Sequence, residues 1–162
     1  MNKIPTHVII DVDGVMTTGQ FIYSNKGKQF KIFGAHDSDG LKFLKNFFKI
    51  IFITADKRGY SVTKKRIVDD LNYKLQLVTE TERYAFCERI GFKKIIFIGD
   101  GIYDSKILKN CRFGITPNNA RIEARKSANY ITPSNSAEGA VLDAALKILK
   151  VFKLKKLNQI EL

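Results

Sequence analysis

Three short runs of β-branched and aromatic residues each end in a polar side chain suited to phosphate or metal, and this repetition narrows the folds open to the chain. Val8–Ile9–Ile10 runs into Asp11, Ile50–Ile51–Phe52–Ile53 into Thr54, and Ile95–Ile96–Phe97–Ile98–Gly99 into Asp100. Continuous apolar runs of this length read as strands buried on both faces, as in a parallel sheet. In an open α/β sheet ligands sit outside the carboxyl ends of the strands, so residues distant in sequence meet at one edge. The first run continues as Asp11–Val12–Asp13–Gly14 and the third as Asp100–Gly101–Ile102–Tyr103–Asp104. Four carboxylates and a hydroxyl at one edge suggest a magnesium site that handles a phosphoryl group.

The segments between the runs complete an α/β pattern. Two aromatic-rich stretches around Ser24–Asn25–Lys26–Gly27 predict a β-hairpin over 20–33 that projects from the sheet. Asp37–Ser38–Asp39–Gly40 opens a helix with Leu41, Leu44 and Phe48 on one face. A second helix is expected over 61–71, with Val62, Val68 and Leu71 inward. Thr79–Glu80–Thr81–Glu82 has capping-box spacing before a helix that Gly91 stops. A final helix from Ala137 carries Ala140, Val141, Ala144, Ala145 and Ile148. The alternation predicts a doubly wound, Rossmann-like parallel sheet, with one domain over 1–152 and a basic tail over 153–162.

Composition removes several function classes. With 44% hydrophobic and 27% charged residues the chain is globular, and no apolar run approaches the roughly 20 residues of a membrane span. The first strand begins too early for a signal peptide. Cys87 and Cys111 read as reduced thiols, consistent with a cytoplasmic protein. The net charge of +12 favours anionic ligands, but no aromatic-interleaved basic motif of a nucleic-acid module accompanies it.

Asp11 and Asp13, two apart at a strand end, can face the same side. Such a pair permits one nucleophile and one general acid and base. Asp11, a main-chain carbonyl near Asp13 and Asp100 can supply oxygen ligands to Mg²⁺, with Asp104 orienting that shell. Thr54 can donate its hydroxyl to a phosphoryl oxygen.

Asp11–Val12–Asp13–Gly14–Val15, Thr54, and Gly99–Asp100 through Asp104 resemble the first, second and fourth motifs of the haloacid dehalogenase superfamily. The hairpin, the stretch up to Gly40 with Asp37, Ala128–Asn129–Tyr130–Ile131–Thr132 and Glu138–Gly139–Ala140–Val141 resemble its capless branch, which includes phosphatases of 3-deoxy-manno-octulosonate 8-phosphate and of nonulosonate 9-phosphates. The resemblance implies that Asp11 attacks phosphorus and that Asp13 protonates the leaving alcohol and then activates water. Thr54 would hold the phosphoryl group, with Ala55, Lys57 and Asp37 on the substrate side. The metal set would be Asp11, Asp13, Asp100 and Asp104. The resemblance also implies a homotetramer built through the hairpins. Three positions depart from the pattern: Thr54–Ala55–Asp56 replaces Thr-Gly-Arg, Glu82–Arg83 replaces the Asp-Lys of the third motif, and Gly101 replaces an Asp. The third-motif cation is then Arg83, the nearest in position, or Lys57. The leading expectation is a Mg²⁺-dependent phosphatase of a phosphorylated sugar acid working through an aspartyl phosphate. The alternatives are a catalytically silent relative serving as a binding or assembly subunit, supported by the missing Lys, and a phospho-receiver domain, which would place its acceptor where Thr54 stands.

Overall fold

The three apolar runs lie side by side. In a computed structural model that describes residues 4–154, β1 (His7–Asp11) pairs in parallel with β4 (Lys49–Thr54) on one side and β6 (Ile95–Ile98) on the other. Ile10 is registered with both Phe52 and Ile98. Parallel pairing in that register brings Asp11, Thr54 and the Gly99–Asp100 step to one edge of the sheet. Two outer pairings, β5 (Lys74–Leu77) on β4 and β7 (Phe113–Thr116) followed by β8 (Tyr130–Ile131) beyond β6, complete a six-stranded parallel sheet in the order β5-β4-β1-β6-β7-β8.

Both faces of the sheet are covered, as continuous apolar strands require. Val8, Ile10, Phe52, Ile96 and Ile98 pack against α1 (Asp37–Leu44) and α6 (Ala140–Val151). The alternate residues Ile9, Ile53, Ile95 and Phe97 pack against α3 (Arg83–Ile90), α4 (Ser105–Asn110) and α5 (Ile122–Ser127) through Cys87, Ile107, Leu108 and Ala124. The expected inward positions Leu41 and Leu44 of α1 and Val141, Ala144 and Ile148 of α6 are buried; Phe48 is buried too, but α1 ends at Leu44, short of it. The helix after β4 differs from the expectation. It consists of α2 (Tyr60–Lys64) continued by a wide turn over Lys65–Asp70, and Thr63 and Ile67 are its buried residues, while Val62 and Val68 are only half-buried. Thr63 turns inward because its hydroxyl accepts the ammonium of Lys31 at 2.8 Å.

The hairpin is a separate two-stranded sheet of β2 (Thr17–Ser24) and β3 (Gly27–Phe33), beginning three residues earlier than expected. Ile22 is paired with Phe30, and both are exposed, as is Ile32. Phe21 is paired with Lys31 on the opposite side, and Lys31 is buried. Ile22, Phe30 and Ile32 therefore face outward, and Lys31 faces inward beside Phe21. Of the basic tail only Lys153 and Leu154 are described, and Leu154 packs on the core. No helix among the described residues is long and apolar enough to cross a membrane.

The helices α1 and α6 meet at Gly40. A Cβ there would lie 2.6 Å from the Val141 carbonyl oxygen and 2.7 Å from the Leu142 Cα, both main-chain atoms that cannot swing away. Gly40→Ala should therefore destabilise the protein, despite the higher helix propensity of alanine, by about 1–3 kcal/mol, the usual cost of overpacking. Urea unfolding is the check; a midpoint at or above that of the unaltered protein would mean that the helices separate freely.

Candidate active site

The carboxyl edge of the sheet opens into a cleft of about 520 Å³ whose lining includes Asp11, Asp13, Arg83, Asp100 and Asp104. Asp11 ends β1 and is buried. One of its oxygens accepts the Val12 N–H at 2.9 Å, and the other pairs with Arg83 Nη1 at 2.9 Å. Arg83 opens α3; of the capping box expected before it only half forms, the Glu82 carboxylate accepting the Thr79 N–H at 3.4 Å and the Thr79 hydroxyl at 2.6 Å. The same Nη1 reaches Asp104 Oδ1 at 2.6 Å. Asp104 precedes α4, but its carboxylate does not cap that helix. Its Oδ2 accepts the N–H groups of Asp100 and Gly101, at 3.1 and 2.9 Å, and so shapes the loop that presents Asp100.

Asp11, Asp100 and Asp104 each offer an oxygen, and these lie within 4.8 Å of one another. Three hard oxygen donors converging at the floor of a cleft fit a divalent cation such as Mg²⁺. Asp100 lies against the turn that follows β1. A Cβ on Gly14 would collide with the Asp100 carboxylate, and Gly14 has φ +89°, so glycine is favoured there on both counts. The electrostatics reflect crowded negative charge. Burial first, and then the charge of Asp104, push the Asp100 carboxyl up to about 7. Burial also raises Asp11, with Asp104 and Asp100 adding to it and Arg83 opposing. On Arg83 itself burial works against the charge, but Asp11 and Asp104 outweigh it and hold the guanidinium protonated.

Asp13 lies above this floor, partly open to the cleft. Its Oδ2 accepts the Thr54 hydroxyl at 2.9 Å, and its Oδ1 pairs with Lys31 Nζ at 2.7 Å. Thr54 is buried, and its hydroxyl also accepts the Asp56 N–H at 3.1 Å. Ala55 and Lys57 line the cleft, and Lys57 is exposed at its mouth.

Asp37, expected on the substrate side, is elsewhere. It is buried away from the cleft lining, and its Oδ1 accepts the Val141 N–H at 2.8 Å, so it caps α6 from a different helix. Burial raises its pKa. The start of α6 needs an acceptor for its free N–H groups, and Asp37 supplies it. In sequence such a cap cannot be told from a ligand-facing carboxylate.

Sequence reasoning missed the hairpin's share of the site. Lys28 and Phe21 line the cleft, and Lys28 Nζ stands 3.4 Å over the Phe21 ring. Lys28 and Lys31 both pair with Asp56 Oδ2, at 2.6 and 2.8 Å. Burial alone would raise Asp56, but these two ammonium groups overcome it and bring its pKa down to about 2. Arg58, Glu80 and Tyr103 complete the rim. The available signal was the alternation Phe30–Lys31–Ile32, which places a lysine on the face opposite two apolar residues.

A family model described as haloacid dehalogenase-like hydrolase matches residues 20–144. The chain belongs to that family. This hydrolase is 26% identical over 149 residues to the 3-deoxy-D-manno-octulosonate 8-phosphate phosphatase of Haemophilus influenzae, covering 88% of this chain and 82% of that one. The crystal structure of the Moraxella catarrhalis phosphatase of the same name, in complex with a magnesium ion, a phosphate ion and KDO, superposes with a TM-score of 0.74 at 26% identity, covering 90% of this chain and 86% of that one. The cobalt-bound form of the Haemophilus influenzae phosphatase gives a TM-score of 0.75 at 25% identity, covering 90% and 88%. Family, fold class and enzyme class, a phosphoric monoester hydrolase, agree with the reading of the sequence, and the family assignment sets aside the phospho-receiver reading.

The crowding at Asp100 has a measurable consequence in the metal-free protein. The ordinary value is 3.8 and the folded value about 7. Between them the unfolded chain has lost the Asp100 proton and the folded chain keeps it, so the folded state binds more protons and stability falls as pH rises. Urea unfolding with chelator, from pH 4 to 7.5, should show the unaltered protein losing stability with rising pH relative to Asp100→Asn. Parallel curves for the two proteins would place the raised titration elsewhere.

Proposed function

We propose that this hydrolase is a Mg²⁺-dependent phosphatase of a phosphorylated sugar acid, of the 3-deoxy-octulosonate 8-phosphate or nonulosonate 9-phosphate type. The observation that carries the reading is the Asp11 carboxylate. It ends the central strand at the floor of the cleft, with one oxygen 2.9 Å from a buried arginine and two further carboxylates beside it. Asp11, Asp100 and a main-chain carbonyl near Asp13 would hold the cation, with Asp104 in support. Bound there, Mg²⁺ would neutralise charge on the phosphoryl oxygens.

The chain's own residues do the rest. An oxygen of Asp11 attacks phosphorus, and the bond from phosphorus to the sugar oxygen breaks. Asp13 gives its proton to that leaving oxygen. With the sugar acid gone, the Asp13 carboxylate takes a proton from water, whose oxygen attacks the phosphorus of the aspartyl phosphate. Inorganic phosphate leaves, and Asp11 and protonated Asp13 are restored. Arg83 holds Asp11 in place and keeps a fixed positive charge beside it. Thr54, buried and outside the cleft lining, keeps Asp13 oriented, while Ala55 and Lys57 border the phosphoryl side. The exposed rim cations Lys57 and Arg58 suit a substrate that carries a carboxylate as well as a phosphate. A silent, purely assembling subunit drew its support from the missing third-motif Lys. Arg83, in contact with both Asp11 and Asp104, favours the active enzyme.

Phosphate release from sugar-acid phosphates, with and without Mg²⁺, tests the activity directly. Asp11→Asn should form no phosphoenzyme, whereas Asp13→Asn should retain it; labelled phosphate trapped on the Asp11 variant at normal yield would overturn the assignment. Arg83→Ala should lower kcat by about 10²-fold or more, the scale for losing one preorganised charged donor, while Lys57→Ala at the mouth should act mainly on KM. The reverse order would assign the clamp to Lys57.

The exposed face of Ile22, Phe30 and Ile32 supports self-association through the hairpin, most simply as a closed homotetramer. Light scattering at micromolar concentration should find the oligomer, and Phe30→Glu should dissociate it; a monomeric unaltered protein would end this part of the reading.

A further inference from the structure

Lys31 is an anomaly of burial. It occupies the middle of a two-stranded ribbon, yet none of its side-chain surface is exposed, while its neighbours Phe30 and Ile32 face solvent. Taking an ammonium group out of water is costly unless opposite charge and hydrogen-bond acceptors replace its hydration. Two carboxylate oxygens supply the charge, Asp13 Oδ1 at 2.7 Å and Asp56 Oδ2 at 2.8 Å, and Thr63 Oγ1 accepts a hydrogen bond at 2.8 Å. With three oxygen partners and no exposed surface, Lys31 has nothing left to offer a substrate.

What it does hold is Asp13. The two oxygens of that carboxylate are divided between elements, Oδ2 to Thr54 at the end of β4 and Oδ1 to Lys31 on the hairpin. Without Lys31 the carboxyl could pivot about its single contact with Thr54. Proton transfer depends steeply on the placement of the donor, and displacements of about 1 Å at a catalytic group can cost 10²-fold. Asp56 and Thr63 fix the lysine from the far side, so the placement comes from three separate segments.

We propose that Lys31 is a positioning residue. Through its ion pair it aims the Asp13 carboxyl at the leaving oxygen, and the projecting hairpin is thereby part of the catalytic apparatus. This rests on the reading of Asp13 as the acid and base.

The test uses the full-length protein with Mg²⁺ and a series of phosphate esters, from p-nitrophenyl phosphate, whose leaving group needs little protonation, to ethyl phosphate, whose leaving group needs it most. Lys31→Met should lower kcat/KM for ethyl phosphate at least about tenfold more than for p-nitrophenyl phosphate, because general acid catalysis supplies about 10²–10⁴-fold where it is needed. A merely structural role would lower both alike. Asp13→Asn provides the reference. If that variant discriminates between the esters and Lys31→Met lowers all of them by one factor, the positioning role is refuted while Asp13 keeps its own. If Asp13→Asn also lowers all esters equally, the acid role of Asp13 falls and the proposal with it. Circular dichroism establishes folding. Should Lys31→Met fail to fold, Thr63→Val, which removes one anchor of the lysine, decides by the same measurement: a smaller discrimination against ethyl phosphate supports the proposal, and a uniform loss overturns it.

Discussion

Three crowded carboxylates stand beside one guanidinium that pairs with only two of them, and much of the site is arranged around that imbalance. Asp11, Asp100 and Asp104 converge on a volume only a few ångströms across. Arg83 meets Asp11 and Asp104 through a single nitrogen, leaving Asp100 without that partner. Burial first, and then this surplus negative charge, raise the Asp100 carboxyl to about 7, and the surplus is what a divalent cation would offset. Arginine suits the bridging position because its charge is permanent and its donors are rigidly spaced. The parallel register of β4, β1 and β6 fixes the distances within the group, so the rest of the sheet can be understood as the frame for this cluster.

The hairpin answers a second constraint. In a fold without a cap domain, one wall of the cleft must come from elsewhere, and the segment between β1 and α1 is closest to it. β2 and β3 divide their two faces accordingly. The inner face carries Phe21 and Lys31, and Lys28 closes against Phe21 and Asp56. The outer face carries Ile22, Phe30 and Ile32. A ribbon of two strands has no core of its own. Its inner face is held by ion pairs to Asp13 and Asp56, and its outer face is apolar surface of the kind that associates.

Legibility in the sequence followed the range of the interaction. Asp11, Thr54 and Asp100 were readable because each ends a continuous apolar run, and parallel strands align such ends. Arg83 was readable less directly, as the cation nearest the third-motif position at the start of a helix. Asp37 misled, because a carboxylate that caps a helix a hundred residues away has the same local appearance as one that faces a ligand. Val62 and Val68 misled for a related reason: Thr63 is turned inward by a lysine 32 positions earlier. Lys31 and Asp56 could not be paired at all, because nothing local to either says which surface the hairpin will lie against.

The sequence by itself determined the parallel sheet, the edge at which polar residues gather, and the chemistry that paired carboxylates and a cation can perform there. These follow from periodicity and strand ends, which act within a few residues. Tertiary structure alone decided that Arg83 bridges Asp11 and Asp104, that Asp37 belongs to a helix cap, and that a buried lysine of the hairpin holds Asp13. Those outcomes depend on which charged groups are brought within 3 Å of each other in a place that excludes water, where each must be neutralised by whatever the fold has set beside it.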